Sequence, residues 1–307
     1  SAIAEAVWRR IDPAVEYTAL LPDGATLHPT DPKQGIEGDV IAEVVGPMAA
    51  ILKGERTALI TTEGFRDVLE LARIRTPRLY DLYYQKPKPL VERRLRFEVA
   101  ERVTFEGEVL KPLDASQVED VVGRIEASGV RSVAVSLLHS YANPDHEQYI
   151  ARALAEGAPG VNLTISSELL PEMKEYERTS TTVINASLIP VVARYLNHLE
   201  QHLSTYSKRV LIMQSNGGIM SAQAARRRPA YMIESGPAAG VLAAARLATE
   251  TQQDQVVSFD MGGTTAKICF IENGRPQTGR HFEVARVYRF KKGSGLPLRI
   301  PVIEMVE

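Results

Sequence analysis

The chain of 307 residues carries 36 basic and 38 acidic side chains, a formal net charge of −2, and 44% of its residues are hydrophobic. This balance gives no electrostatic reason to expect a nucleic-acid partner or an anionic membrane surface. The longest nearly apolar stretch, residues 44–52, contains Gly46 and Pro47 and is far shorter than the roughly 20 residues that span a bilayer. The single cysteine, Cys269, excludes an internal disulfide and fits a reducing compartment, so we expect a cytoplasmic protein.

Strand-like and helix-like patterns alternate in the first half of the chain once the proline-rich first fifty residues are passed. Residues 95–103 and 109–113 alternate apolar and polar side chains and predict a hairpin at a sheet edge. Because strands alternate with helices, we expect a largely parallel sheet. The predicted buried strands are 57–62 (TALITT) and 131–138 (RSVAVSLL), and the predicted helices are 65–74, 116–128 and 145–156.

The second half opens with a long amphipathic pattern, in which apolar residues recur at three- and four-residue spacing from 175 to 203. Pro190 lacks the backbone N–H that a helix interior uses, so we predict two helices that meet at this residue. The later predicted elements are a strand at 209–213, a turn at 215–218, a short helix at 221–227, an Ala-rich helix at 237–249 with Ser235 as N-cap, and strands at 256–260 and 266–271.

The turn between the last two predicted strands has the composition of a phosphate-binding loop. Gly262 and Gly263 lack Cβ atoms, so consecutive N–H groups can approach an anion, and the hydroxyls of Thr264 and Thr265 add donors. Asp260, at the end of the first strand, suits Mg²⁺, which usually takes one or two carboxylates alongside substrate phosphates. The alternative is an ordinary hairpin turn whose threonines begin the second strand.

Several segments of the chain resemble blocks of the hydantoinase A/5-oxoprolinase family, which lies in the actin-like ATPase superfamily. Residues 259–267 (FDMGGTTAK) resemble the family's phosphate motif, and the similar blocks keep the family's order from about residue 52 to the C-terminus. The other blocks are TALITTEGFRDVLEL (57–71), RIRTPRLYDL (73–82), SLLHSYANPDHE (136–147), MQSNGGIMS (213–221), ESGPAAGV (234–241) and FEVARVYRFKKGSGLPLRIPVI (282–303).

The resemblance implies an α/β protein with the actin-like ATPase (ribonuclease H-like) fold, in which two lobes contain mixed sheets flanked by helices. We expect an N-terminal segment at 1–50, an N-terminal lobe at 51–190, and an ATP-binding lobe at 191–307 that is incomplete at its C-terminus. The Ala-rich helix after Ser235 resembles the connecting helix at the hinge between such lobes. A tightly packed helix without a hinge role is the alternative.

The resemblance also implies ATP and Mg²⁺ as cofactors, with Asp260 as the metal ligand and a catalytic residue. His139 follows a strand and is a second catalytic candidate, as a general acid, a general base or a phosphate contact. A histidine that hydrogen-bonds within a strand-end turn is the alternative. The candidate cofactor-binding residues are Gly262, Gly263, Thr264, Thr265 and Lys267, together with Asn216, Gly217 and Gly218 of a turn that turn chemistry alone also explains.

Lys267 follows the phosphate motif, where a cation could stabilise transferring phosphate charge. We predict that Lys267 marks the hydantoinase- and carboxylase-like branch, because 5-oxoprolinases of this family more often have an aspartate near this point. In the alternative, strand alternation directs Lys267 to solvent.

The activity that the resemblance implies is ATP-dependent phosphorylation of the amide oxygen of a small cyclic amide, such as a hydantoin or oxoproline. A hydantoinase B-like partner subunit would then open the ring. The alternatives are a subunit of an ATP-dependent acetone or acetophenone carboxylase, and a non-catalytic subunit that uses ATP to gate assembly. The family's first phosphate loop and its His-Gly-Thr-Thr segment are absent, so the sequence resembles a fragment.

Overall fold

The computed structural model describes residues 55–73, 80, 83, 88–204, 210–262, 266–286 and 293–306. Its first part contains strand β1 (Thr57–Thr62), helix α1 (Val68–Leu71), strands β2 (Arg96–Val99), β3 (Arg102–Val103) and β4 (Val109–Lys111), helix α2 (Ala115–Ser128), strand β5 (Ser132–Ser136), helix α3 (Asp145–Gly157), strand β6 (Asn162–Ile165) and helix α4 (Ser166–Leu169).

The second part begins with the long helix α5 (Glu175–Leu203). It continues with strands β7 (Leu211–Met213) and β8 (Ile219–Ser221), helices α6 (Ala222–Arg227) and α7 (Ser235–Glu250), and strands β9 (Gln255–Met261), β10 (Ala266–Glu272), β11 (Arg275–Pro276), β12 (Thr278–Gly279), β13 (Phe282–Val284), β14 (Leu296–Leu298) and β15 (Val302–Ile303).

A four-stranded parallel sheet forms the centre of the first part, in the order β2-β1-β5-β6. Every residue of β1 and β5 is buried, so both faces of these two strands are covered, as is usual for parallel strands between helices. Residues from α2, α3 and α5 share the hydrophobic core with the sheet. The predicted mixed α/β architecture with a parallel sheet flanked by helices is confirmed.

The predicted hairpin at 95–103 and 109–113 is only partly correct. Residues Arg96–Val99 form β2, which pairs in parallel with β1 at the sheet edge, and only β3 and β4 form a hairpin. The backbone leaves the sheet after Val99 because the N–H of Ala100 donates to Gln117 Oε1, at 2.8 Å, instead of continuing the ladder. Of the predicted helix at 65–74, the structure describes residues 65–73, and within these only Val68–Leu71 are helical; Ala72 has a φ of 52°.

The prediction of two helices that meet at Pro190 is wrong, because α5 is one helix of 29 residues with Pro190 inside it. Packing on both sides of the proline compensates for the missing hydrogen bond. Before it, Val183 and Ala186 pack in the core of the parallel sheet; after it, Val192 and Leu196 pack with residues of β7, β8 and α6. Helix propensity is therefore overridden by tertiary contacts.

Strands β9, β10 and β11 form an antiparallel sheet in the order β11-β10-β9. One face packs on α7, where Cys269 and Ile271 contact a cluster that includes Val241. The opposite face carries four exposed large apolar side chains, Val257, Phe259, Met261 and Phe270. Within the part of the chain that the structure describes, no helix has the length and apolar character needed to cross a membrane.

Candidate functional site

The candidate phosphate turn joins β9 to β10, as predicted, but Gly263, Thr264 and Thr265 lie outside the described residues. On the described side of the turn, Asp260 and Gly262 are exposed. Lys267 lies directly opposite Asp260 in the antiparallel register. Residues directly opposite in such a pair extend to the same face of the sheet, so Asp260 and Lys267 are cross-strand neighbours.

Lys267 does not extend freely into solvent, which was the alternative considered from strand alternation. Its ammonium forms an ion pair with the carboxylate of Glu234, and the side chains of Lys267 and Glu234 are only 14% and 8% exposed. The sequence-based interpretation did not select Glu234, although the residue opens the ESGPAAGV block. The signal that could have found it is an acidic residue directly before an Ala-rich helix, which an electropositive helix start favours.

Glu234 precedes the first helical residue of α7 and has a left-handed backbone with a φ of 68°. Ser235 therefore lies within the helix, and its predicted role as N-cap is wrong, since neither Glu234 nor any other side chain caps this end. Ile233, the residue before Glu234, is held by the β7–β8 turn. The hydroxyl of Ser215 contacts the carbonyl of Ile233, and Ser215 N donates to Tyr231 O at 2.8 Å.

The turn Asn216-Gly217-Gly218 joins β7 to β8 and lies against α7. Gly217 has a φ of +83°, and a Cβ at this position would lie 2.7 Å from Leu242 Cδ1, so close packing requires glycine here. The Oδ1 atom of Asn216 accepts from Gly218 N at 2.9 Å. These contacts explain the turn sequence by folding alone, and a ligand role for the three residues stays a prediction.

His139 lies in the turn after β5, with a φ of 57°. Its Nδ1 is 3.1 Å from the hydroxyl of Tyr141, and its carbonyl accepts from Ala142 N at 2.9 Å. Burial is the main cause that lowers the pKa of His139, which favours the neutral imidazole. Among the described residues, no hydrogen bond or ion pair joins His139 to Asp260 or Lys267.

A buried polar network that sequence reasoning missed surrounds the carboxyl end of β5. The carboxylate of Glu147 accepts from Leu137 N and Ser167 N, both at 2.8 Å, and from the hydroxyl of Ser166. The guanidinium of Arg178 donates to Ser166 Oγ at 3.1 Å and to Leu137 O at 2.7 Å. Burial lowers the pKa of Arg178. The signal that could have identified Glu147 and Arg178 is a charged side chain near the start of a helix, next to residues that become buried.

A second part of this network links Glu101, His146 and Thr62. His146 Nδ1 is 2.8 Å from one carboxylate oxygen of Glu101, and the hydroxyl of Thr62 donates to the other. His146 thus has a structural contact in the first turn of α3. Cys269 is buried, and burial raises the pKa of its thiol, so it is a core residue.

The residues near the β9–β10 turn offer limited ligands for a metal. No group of three or more histidine, cysteine, aspartate or glutamate side chains within the described ranges could hold a metal ion. Asp260 supplies one exposed carboxylate beside a glycine-containing turn, and this fits Mg²⁺, which keeps several waters and takes few protein ligands when phosphates are present.

The fold thus defines an α/β protein with a glycine-containing hairpin turn next to charged side chains. Family models match two regions of the chain: Hydantoinase/oxoprolinase N-terminal region at residues 49–157, and Hydantoinase/oxoprolinase at residues 178–307. The chain belongs to the hydantoinase/oxoprolinase family, as the sequence blocks predicted.

The chain is also similar to one uncharacterized protein and to one caprolactamase subunit. Protein MJ0964 of Methanocaldococcus jannaschii is 43% identical over 261 residues, which are 83% of this chain and 38% of that protein. Caprolactamase subunit alpha of Pseudomonas jessenii is 32% identical over 249 residues, which are 80% of this chain and 35% of the subunit. The solved structure of ATP-dependent caprolactamase from Pseudomonas jessenii matches 99% of this chain and 42% of that chain, with a TM-score of 0.73 and 27% identity. This chain therefore spans well under half the length of these relatives.

Proposed function

We propose that the protein is an ATP-dependent activating subunit that phosphorylates the amide oxygen of a small cyclic amide. The observation that carries this proposal is the placement of Asp260 and Lys267 on one face of the β9–β10 hairpin, next to a turn that contains Gly262. A carboxylate for a metal ion, an ammonium for phosphate charge and a turn that begins with two glycines are groups that suit phosphoryl transfer.

In this proposal the residues have separate roles toward the metal ion and the phosphates of the nucleotide. Asp260 holds Mg²⁺, Lys267 stabilises the negative charge of the phosphoryl group, and Gly262 and Gly263 let backbone N–H groups approach the phosphates. Thr264 and Thr265 contribute hydroxyl donors. ATP supplies the phosphoryl group that converts a poorly reactive amide carbonyl into one with a good leaving group. His139 remains a candidate general acid or base whose pKa shift favours the neutral form at neutral pH.

We further propose the actin-like, ribonuclease H-like arrangement of two lobes, at 51–190 and 191–307, with α7 as the connecting helix. The packing of α7 supports this role. Ala238, Val241 and Ala245 contact the β9–β10 sheet, and Gly217 of the β7–β8 turn touches Leu242 on the same helix. A movement of α7 would therefore displace both candidate turns together.

We also propose a hydantoinase B-like partner that opens the activated ring. The relative from Pseudomonas jessenii is named as a subunit, which supports a multi-subunit enzyme. The described residues offer no metal-binding cluster, and the thiol of Cys269 is buried, so neither supplies a hydrolytic centre.

The experiment is an ADP-release assay with hydantoins, oxoproline, caprolactam and ketones, each with and without bicarbonate, in the presence and absence of the partner. We expect a cyclic amide to stimulate ADP release without bicarbonate. Stimulation only by a ketone with bicarbonate would instead identify a carboxylase subunit. ADP release that no substrate changes would identify an ATP-gated assembly subunit.

A further inference from the structure

The structure adds the acidic side chain of Glu234 to the candidate phosphate site. We infer that Glu234 is a positioning residue, which holds the ammonium of Lys267 at the end of the β9–β10 hairpin where phosphates would bind. The inference rests on the proposed nucleotide site and assigns a role to a residue outside the glycine turn.

The sheet register explains why Lys267 extends toward Glu234. Lys267 lies on the same strand face as Cys269 and Ile271, two and four residues later, and this face packs on α7. Glu234 is the residue directly before α7. Apolar contacts farther along the same face therefore bring the hairpin and the start of α7 together. The ion pair between Lys267 and Glu234 lies at the end of this interface.

Glu234 itself has little freedom to move. Its backbone is left-handed, the hydroxyl of Ser215 contacts the preceding carbonyl of Ile233, and the carbonyl of Ser215 accepts from Ile303 N at 2.8 Å. A lysine has a flexible stem of four carbons, so its ammonium is poorly placed unless a partner fixes it. Glu234 supplies that partner from a rigid position. An ammonium carries three N–H donors, so an ion pair is compatible with a further contact to phosphate.

The electrostatics of the helix start support a ligand-directed role for this lysine. The start of α7 carries partial positive charge, which repels a nearby ammonium and attracts an anion. Glu234 offsets that repulsion. When a polyphosphate binds, the ammonium and the helix start would both attract it. A neutral side chain at position 267 would remove this attraction and would leave the carboxylate of Glu234 without its ion-pair partner.

The test compares three variants by calorimetric binding of a non-hydrolysable ATP analogue with Mg²⁺ and by thermal melting. Glu234→Gln removes the charge, Lys267→Met removes the ammonium, and the exchange Glu234→Lys with Lys267→Glu restores an ion pair of opposite direction. Glu250→Gln, which loses the exposed ion pair with Arg246 at the other end of α7, is the matched control.

We expect Glu234→Gln to weaken nucleotide binding about tenfold, the loss typical of a hydrogen-bonded charge. Lys267→Met should weaken it at least as much, and Glu250→Gln should bind as the parent does. The exchanged pair should recover the melting temperature of the parent but not its affinity for the nucleotide. The reason is that the ammonium then lies at position 234, directly before α7, instead of on β10.

Equal recovery of melting temperature and affinity in the exchanged pair would overturn the inference, since the ion pair would then be structural only. Unchanged affinity in folded Glu234→Gln would also overturn it while leaving the proposed function intact. If the parent protein bound no nucleotide, the proposed function would fail and the positioning role would fail with it.

Discussion

Asp260 and Lys267 lie directly opposite each other across β9 and β10, and Lys267 is also bound by Glu234. Lys267 therefore has an exposed aspartate opposite it in the strand register and an almost buried glutamate as its ion-pair partner. This difference in burial separates their roles. The exposed carboxylate of Asp260 is accessible to a hydrated metal ion, whereas that of Glu234 is occupied by the lysine.

Replacement of the exposed carboxylate tests the proposed metal role. For Asp260→Asn we expect turnover to fall about a hundredfold, with a smaller loss of ATP affinity and a weaker Mg²⁺ dependence, because metal placement matters most as charge develops during transfer. Steady-state kinetics across a Mg²⁺ titration measure all three. Asp254→Asn, an exposed residue just before β9, is the control and should leave the kinetics unchanged. Unaltered turnover in Asp260→Asn would remove this residue from the site.

The β7–β8 turn provides a test of packing against α7. Gly217→Val should destabilise the protein by about 2 to 3 kcal/mol, because a β-branched residue is strained at a φ of +83° and its Cβ would clash with Leu242. Chemical denaturation measures the loss. Gly240→Ala in α7, where a Cβ meets no atom within 4 Å, should be neutral or stabilise by up to about 1 kcal/mol. Equal effects at the two positions would contradict the close contact.

The buried network at the end of β5 should be expensive to break. Arg178→Met removes donors from Ser166 and Leu137 and leaves the buried carboxylate of Glu147 without the positive charge of Arg178, so we expect a loss of about 3 to 5 kcal/mol. Denaturant unfolding of this variant, of Glu147→Gln and of the double variant provides the measurement. The double variant should lose less than the two single variants together. Strict additivity would show that the two charges do not interact.

The lowered pKa of His139 gives a pH dependence with a definite sign. The unfolded chain, with a pKa near 6.5, binds a proton at a higher pH than the folded chain does. The contribution of His139 to the free energy of unfolding is therefore fully present above pH 6.5 and is lost as pH falls through the lowered pKa of the folded chain. His139→Asn, a replacement that tolerates positive φ, should show a smaller loss of stability between pH 7.5 and 5.5 than the parent. Identical pH profiles would exclude this residue as a source of the dependence.

Local patterns predicted the elements whose periodicity agrees with their environment. Strand β1, helices α2 and α3, and the pair β9–β10 lie within one or two residues of the predicted bounds, because buried strands and amphipathic helices have distinct apolar spacing. The continuity of α5 was not predictable in this way. Contacts between Pro190's flanking turns and distant strands decide it, and no local pattern contains those contacts.

The candidate site shows the same division. Asp260, Lys267 and the glycines could be selected from sequence because they follow one another on a single hairpin. Glu234 lies 33 residues before Lys267, and the ion pair depends on how α7 packs on the sheet. Arg178 and Glu147 could not be selected from the sequence for the same reason. Both contact the hydroxyl of Ser166, which lies on a different helix from either of them.

Helix α5 has a consequence for how the molecule unfolds. Its residues Val183, Leu188 and Leu196 belong to three different hydrophobic clusters, so this one helix contributes side chains to all three. Melting any one cluster exposes a side of a helix that the other two need. Loss of structure should therefore spread along α5 from one cluster to the next.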